Sequence, residues 1–551
     1  MLDKFRVALY AILGILIFMW YQAWLQDHPS TPKSAAMSSS TTPIGRFIPD
    51  VAPTSSTTQA IVHTPALTLP IKGKLIKVTT DVFEINIDTR GGNIVDAKLL
   101  KYPESLNSQT PFVLFNDDDK TRYIAESGLL SKQGPDTSDS QALYTTTQTE
   151  YSLNPQENNL IVKLNWQKDG MTVTKLFTFM RGSYEITVSY DIDNQSKYSW
   201  VGNLYTHLMR TDTPPPNHGG LVNLTTYFGA AISSPEKPFE KIPFKDMLSA
   251  NLNQSIQDGW AAMIQHYFVS AWIPPKTATS TYYSRVTQNG LYTIGMMGSS
   301  LTVAPGMKTF SEAKLYAGPA ITKNLEQAAP GLQLTIDYGW FWFISVIIFW
   351  MMQHIYDVVG NWGWSIVLVT IIIKIFFYYP SNKSYRSMSA MKNLQPKIEA
   401  LRLRYGEDRQ KLTQATLELY REEKVNPMSG CLPILIQIPV FIALYWVLVE
   451  SVQLRQSPFI FWIRDLSLHD PYYILPVLMG ISMYLQQRLN PPPPDPLQAK
   501  VMMMMPIVFT ILFANFPAGL MLYWFVNNTL SFLQQWHIMH KINKEGVKKK
   551  A

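Results

Sequence analysis

The stretch Gly363–Pro380, GWSIVLVTIIIKIFFYYP, is apolar over nearly its whole length and carries a single charge, Lys374. A run of this length reads as a transmembrane helix, and an ionisable group inside one marks a functional site by default. Thr370 lies one helical turn before Lys374 on the same face, so a hydroxyl and an ammonium are expected to point together into a wet groove. The competing reading is structural. Lys374 is five residues from Tyr379, roughly 7 Å at helical rise, and a lysine that near an interface can snorkel its head to water or phosphate. The rest of the chain has to shift that balance.

The 551 residues are 46% hydrophobic and 13% aromatic with a net charge of +7, a mixture that suggests membrane and aqueous parts in one chain. Much of the positive excess sits beside apolar runs, which favours an anionic membrane surface over nucleic acid as its partner. The one cysteine, Cys431, rules out an internal disulfide and a zinc ribbon.

At the N-terminus Lys4 and Arg6 precede an apolar run from Val7 to Trp20 with no small-x-small site close behind, so 1–26 reads as an uncleaved signal anchor. Residues 27–69 are rich in Ser, Thr and Pro and form a flexible linker. Beyond it the pattern changes to period two. Phe83, Ile85 and Ile87 alternate with Glu84, Asn86 and Asp88, and Gly91 with Gly92 supplies a turn. Similar runs recur as LIVKLNWQ, MTVTKLFTFM, YEITVSYDI and LYTIGMM, so 70–336 is expected to be one large antiparallel β domain, a sandwich.

In 337–360 the apolar stretch Trp340–Met352 is short for a span and is flanked by Gln353, His354 and Asp357, which suits an interfacial amphipathic helix. If it lies flat, the Lys374 helix runs from outside to inside, and the basic residues that follow, from Lys383 to Lys424, face the cytoplasm as the charge rule asks. Residues 381–428 read as a helical hairpin broken at Gly406. Cys431–Val449, Tyr472–Gln487, Val501–Phe516 and Ala518–Leu533 complete a membrane core over 361–540, followed by a basic cytoplasmic tail, 541–551. The fold class is therefore a polytopic α-helical membrane protein with about six transmembrane helices, a large external β domain and a cytoplasmic hairpin.

No motif supports hydrolysis, nucleotide use, a cofactor or a metal site, so the chain does not read as an enzyme. What remains is a set of polar groups inside apolar helices: Thr370, Lys374, Gln437, Asn515, Asn527 and Asn528. Asn527 follows Tyr523 by four residues, and Asn528 follows Trp524 by four, so each pair shares a helix face. Interhelical hydrogen bonding is the plain alternative for each residue alone; several beside one lysine favour a hydrated cavity.

The segments NWGWSIVLVTIIIK, LQPKIEALRLRYGEDRQKL, EKVNPMSGCLPILIQIPVFIALYW, LRQSPFIFWIRDLSLHDPYYILPVLMG and FPAGLMLYW resemble the YidC membrane-protein insertases of Gram-negative bacteria. The resemblance covers essentially everything after Asp337, and more loosely the regions before it. It implies a bundle of five core spans around a groove open to cytoplasm and lipid, and a periplasmic β-supersandwich. It also implies an inner-membrane location with both termini cytoplasmic, and insertion of nascent membrane proteins alone or beside the Sec translocon. The ribosome would be met by the hairpin and the basic tail, and membrane lipids by the core.

The groove charge of the family falls on Lys374 with its partner hydroxyl on Thr370. Gln437, Tyr523, Trp524 and Asn527 are the other expected groove residues, and Ile438, Phe441 and Leu512 the expected apolar slide for a client's hydrophobic segment. Many relatives carry arginine at the position of Lys374 and tyrosine at that of Trp524. Lysine keeps the charge without the bidentate fork. A secondary transporter of a small anion is the rival function, although no repeated halves are visible. A scaffold role for the β domain is a third.

Overall fold

The computed structural model describes residues 73–548 apart from 215–225, 288, 407, 424, 426–431 and 491–495. The N-terminal anchor and the linker expected from the sequence lie outside the described residues, as does Cys431.

In Phe83–Asp88 the apolar positions are buried and Glu84, Asn86 and Asp88 are half-buried, as a strand with one wet face requires. Gly91 and Gly92 turn the chain at φ 69° and 62°, a left-handed conformation that glycine adopts without Cβ strain. The strand Asn93–Pro103 then pairs back antiparallel, with Ile85 opposite Ala97. The other alternating runs also form strands. Asn159–Lys168, Met171–Met180 and Glu185–Asn194 make consecutive hairpins, and Leu291–Val303 pairs with Trp200–Thr211.

Together the strands build a ten-stranded and an eight-stranded sheet. Among the named strand pairs only Leu75–Thr79 with Glu150–Ser152 runs parallel. Trp200, Trp260 and Trp272 are fully buried in the sandwich, and each indole N–H finds a carbonyl, on Gly134, Pro330 and His207 respectively. That satisfies the one polar atom of a side chain that otherwise contributes apolar area. Two short helices, α1 (Phe244–Ser249) and α2 (Thr322–Ala328), flank the sheets.

The sandwich also buries charge. Lys175 is 0% exposed, and its Nζ donates to the carbonyls of Gly91 at 2.9 Å and Ser127 at 2.7 Å. Asp136, equally buried, accepts from the Ala142 N–H at 2.7 Å and from the Tyr205 hydroxyl at 3.3 Å. Glu126 contacts His207 Nε2 at 2.6 Å. Burial pushes the Lys175 ammonium down to about 7 and the Asp136 carboxyl up to about 6, because both charged forms lose water.

After the sandwich the chain is helical: α3 (Trp342–Val359), α4 (Trp362–Phe376), α5 (Tyr378–Asn393), α6 (Gln395–Tyr405), α7 (Arg409–Glu422), α8 (Leu432–Glu450), α9 (Ile474–Leu489), α10 (Pro496–Phe513) and α11 (Ala518–Lys548). Helix α11 packs against α4, α5, α8 and α9, whereas α10 rests mainly on α9. Ser345 pins α3 to α8 through the Ala443 carbonyl at 3.1 Å, and Asn528 pins α11 to α9 through Ser482 at 3.3 Å.

Two sequence expectations change, and two elements run further than the sequence indicated. The Gly363–Pro380 run is not one straight helix: α4 stops at Phe376 and α5 leaves it at 67°. Pro380 has no N–H to give the Phe376 carbonyl, so the helical ladder breaks there, and proline is tolerated because it falls in the first turn of α5. The segment before the Gly406 break holds two helices, α5 and α6, rather than one. Helix α3 runs for 18 residues, beyond the apolar stretch, and is long and apolar enough to cross a membrane. The basic tail is helical as far as Lys548, a continuation of α11.

The sandwich is fixed to the helical region at the C-terminal end of α8. His266 Nε2 lies 2.7 Å from the Val449 carbonyl. Arg455, just past α8, donates to the carbonyls of Pro103 at 2.7 Å and Glu104 at 2.9 Å. Gly339, at φ 66°, lies against the indole of Trp446, where a Cβ would come within 2.6 Å of Nε1. Gln437 stands twelve residues before Val449 on α8, about 18 Å away along the axis. The docked sandwich and the polar cluster around Lys374 thus occupy opposite ends of the bundle.

Candidate functional site

Lys374 sits in the last turn of α4, and its stem carries the ammonium to a cleft between α4, α5, α8 and α11. Gln437 enters from α8, Tyr523 and Asn527 from α11, and Ser381 from α5; Ile373, Phe377, Ile436 and Val440 supply the apolar walls. Gln437 and Tyr523 stand side by side in this lining. Lys374 Nζ donates to Ser531 Oγ at 2.6 Å, and Ser531 Oγ donates to the Asn527 carbonyl at 2.7 Å. Among the described residues no carboxylate pairs with Lys374. An amine held this way is tied inward against α11, not extended along the surface.

Four of the expected groove residues, Lys374, Gln437, Tyr523 and Asn527, therefore meet at one place. Two do not. Thr370 is 1% exposed and its hydroxyl donates to the Ile366 carbonyl at 2.6 Å. It shares a face with Lys374, but its short β-branched side chain satisfies itself on its own helix, as threonine often does, while the long lysine stem reaches out.

Trp524 also stands away from the cleft. Its ring packs 4.6 Å from Phe441, 4.7 Å from Phe513 and 6.1 Å from Phe509. Neighbouring positions on a helix point about 100° apart, so Tyr523 and Asn527 face the cleft while Trp524 and Asn528 face its flanks.

The aromatic group around Trp524 forms a wall between the polar cleft and an apolar outer face. On that face Ile438 of α8 is 46% exposed and Leu512 of α10 is 56% exposed. Phe441 is half-buried at the boundary, touching the rings on both α10 and α11. A polar recess thus adjoins an apolar track, and a chain lying across both can give its polar part to one and its apolar part to the other.

Sequence reasoning missed Ser381, Ser531 and Tyr385. Tyr385 is buried beside Ser531. Ser531 follows Asn527 by one turn and was detectable by the same spacing that paired Tyr523 with Asn527. Ser381 and Tyr385 lie beyond the 67° bend, which a reading based on a single straight helix projects away from the cleft.

Residues 75–351 match the family model described as the YidC periplasmic domain, and residues 354–545 match that of the 60Kd inner membrane protein. The chain is 45% identical over 563 residues to the membrane protein insertase YidC of Pseudomonas fluorescens (strain SBW25), covering all of both chains. It is also 45% identical over 563 residues to that of Coxiella burnetii (strain Dugway 5J108-111), covering 100% of this chain and 99% of the relative. The crystal structure of an active YidC insertase with its first transmembrane domain resolved aligns with 84% of this chain and 92% of its own at 20% identity, with a TM-score of 0.40.

Proposed function

The chain belongs to the YidC family of membrane protein insertases, and from that premise we propose that nascent inner-membrane proteins are its clients and that the Lys374 cleft is where their polar tails are received. It is a membrane protein insertase, with a large β-sandwich of the family's periplasmic type and a helical C-terminal region. That assignment leaves the small-anion transporter without support.

In the proposed topology α4, α8, α9, α10 and α11 cross the bilayer with the N-terminal anchor, and both chain ends are cytoplasmic. Helix α3 lies flat in the outer leaflet. A spanning α3 would reverse α4 and put the Arg- and Lys-rich helices α5 to α7 outside, against the preference of positive charge for the cytoplasm. The hairpin of α6 and α7, closed by Asp408 capping α7 and by an ion pair between Lys397 and Glu423, then projects toward the ribosome. Work beside the Sec translocon is part of the same reading.

The step itself needs no nucleotide. An acidic or polar tail enters the cleft, where Lys374 supplies charge and Gln437, Asn527 and Tyr523 supply hydrogen-bond partners. The adjoining hydrophobic segment lies along Ile438, Phe441 and Leu512 and passes into lipid. Burying about twenty apolar residues drives the transfer, and each negative charge crossing outward adds about 2.3 kcal/mol per 100 mV. The cleft lowers the barrier because its fixed dipoles and water replace hydrocarbon around polar groups that would otherwise be unsatisfied.

The observation carrying this proposal is the convergence of one cation and three uncharged polar side chains from three apolar helices on one cleft. Photo-crosslinkers at Gln437 and Leu512 test it with a stalled nascent membrane protein. Gln437 is expected to capture the polar tail and Leu512 the hydrophobic segment, with little capture from Ile347 on α3. Equal crosslinking from all three positions sinks the proposal.

A further inference from the structure

We propose that Ser531 is a positioning residue for the groove cation: it holds the Lys374 ammonium against the α11 wall, facing the cleft, and so sets how strongly the insertase favours clients with acidic tails. The inference rests on the groove reading above and extends it to a residue on another helix.

A serine hydroxyl has one proton to donate and two lone pairs to offer. The Ser531 proton is committed to the Asn527 carbonyl at 2.7 Å, so the atom 2.6 Å from Lys374 Nζ acts as an acceptor. Tyr385 of α5 lies beside the same hydroxyl, and Ser531 and Tyr385 are 2% and 3% exposed. One buried hydroxyl on α11 therefore holds the α4 lysine at the point where the charge is placed.

Lysine is a compact, strongly hydrated charge on a flexible four-carbon stem. Without a partner inside, such a stem extends toward the head groups. Because no described carboxylate pairs with it, Ser531 is what keeps the ammonium turned inward. Being neutral, Ser531 orients the charge without cancelling it, and it occupies one ammonium N–H while leaving two for a client carboxylate. An aspartate at 531 would hold the lysine equally well but neutralise the recess.

The test compares two forms of one client whose translocated tail carries two aspartates or two asparagines, inserted by the full-length protein in liposomes. The readout is the ratio of acidic-tail to neutral-tail insertion, in which any loss of folded protein cancels. Ser531→Ala is expected to lower the ratio about three- to tenfold, the size of one ordinary lost hydrogen bond, since water in the cleft takes over part of the ammonium's bonding. Ser531→Asp should lower it further, and Ser531→Thr, which keeps the hydroxyl, should restore it to within about twofold.

Lys374→Glu is the reference. If it lowers the ratio while Ser531→Ala leaves it unchanged, the role of Ser531 is overturned and the groove stands. If Lys374→Glu also leaves the ratio unchanged, the groove reading fails and takes this inference with it.

Discussion

Replacing Lys374 by glutamate is expected to slow insertion of an acidic-tailed client by at least about tenfold, because the variant turns an attraction into a repulsion. Two unit charges about 8 Å apart interact with about 2 kcal/mol at an effective dielectric constant of about 20. Reversing one of them therefore shifts the interaction by about 4 kcal/mol before water in the cleft screens it. Even a third of that shift is a tenfold change in rate. Ser531 and Asn527 stay in place in the variant, so the polar lining survives while the sign changes. Protease protection of the translocated tail in vesicles measures the rate, and a variant within twofold of the parent contradicts an electrostatic role for the cleft.

The second large effect lies in the sandwich. Lys175→Ala is expected to destabilise the folded chain by about 3–5 kcal/mol, as removal of one partner from a buried charged network does. The two carbonyls of Gly91 and Ser127 lose their donor, and Asp136 loses the opposite charge that offsets part of its desolvation. Its cation contacts with Phe177 and Tyr190, 5.2 Å and 5.3 Å from the ring centroids, go as well. Asp136→Asn in the same chain should recover part of the loss, since the two sites are coupled.

The pH dependence has a definite sign. The folded Lys175 binds its proton less tightly than the unfolded residue, so between about 7 and 10.5 the unfolded chain holds more protons and stability rises with pH. The raised Asp136 works oppositely, and stability falls as pH rises from 3.8 to about 6. Thermal unfolding of the full chain in detergent, followed across pH, reads both slopes. Lys175→Ala should flatten the alkaline one.

The sandwich was legible because period-two alternation encodes both strand identity and the buried face, and Gly91 with Gly92 marks a turn that side chains resist. The order of strands across the two sheets was not legible, since pairings such as Trp200–Thr211 with Tyr123–Ser131 join segments far apart in sequence. The polar cluster was half legible. Spacing of four correctly put Tyr523 with Asn527 on one face, but it could not say that Thr370 would bond to its own helix. It also could not tell which of the adjacent Tyr523 and Trp524 would meet the cleft.

The bend after Phe376 decided the rest. Pro380 announced a break, but its 67° angle brings Ser381 to the Lys374 cleft only in three dimensions. The charge network of Lys175, Asp136 and Glu126 left no sequence signal either. Each residue occupies an ordinary strand or loop position, and only the stacking of the sheets makes it buried.

The central claim is that a watered recess open to the cytoplasm reaches Lys374 within the bilayer. A chain with Cys431→Ser and Gln437→Cys, exposed to a membrane-impermeant maleimide from either side, tests it most directly. The account predicts labelling from the cytoplasmic side only, with none at Ile375→Cys on the exposed apolar side of α4. Failure of Gln437→Cys to react from the cytoplasm, or reaction from the periplasmic side alone, would contradict it.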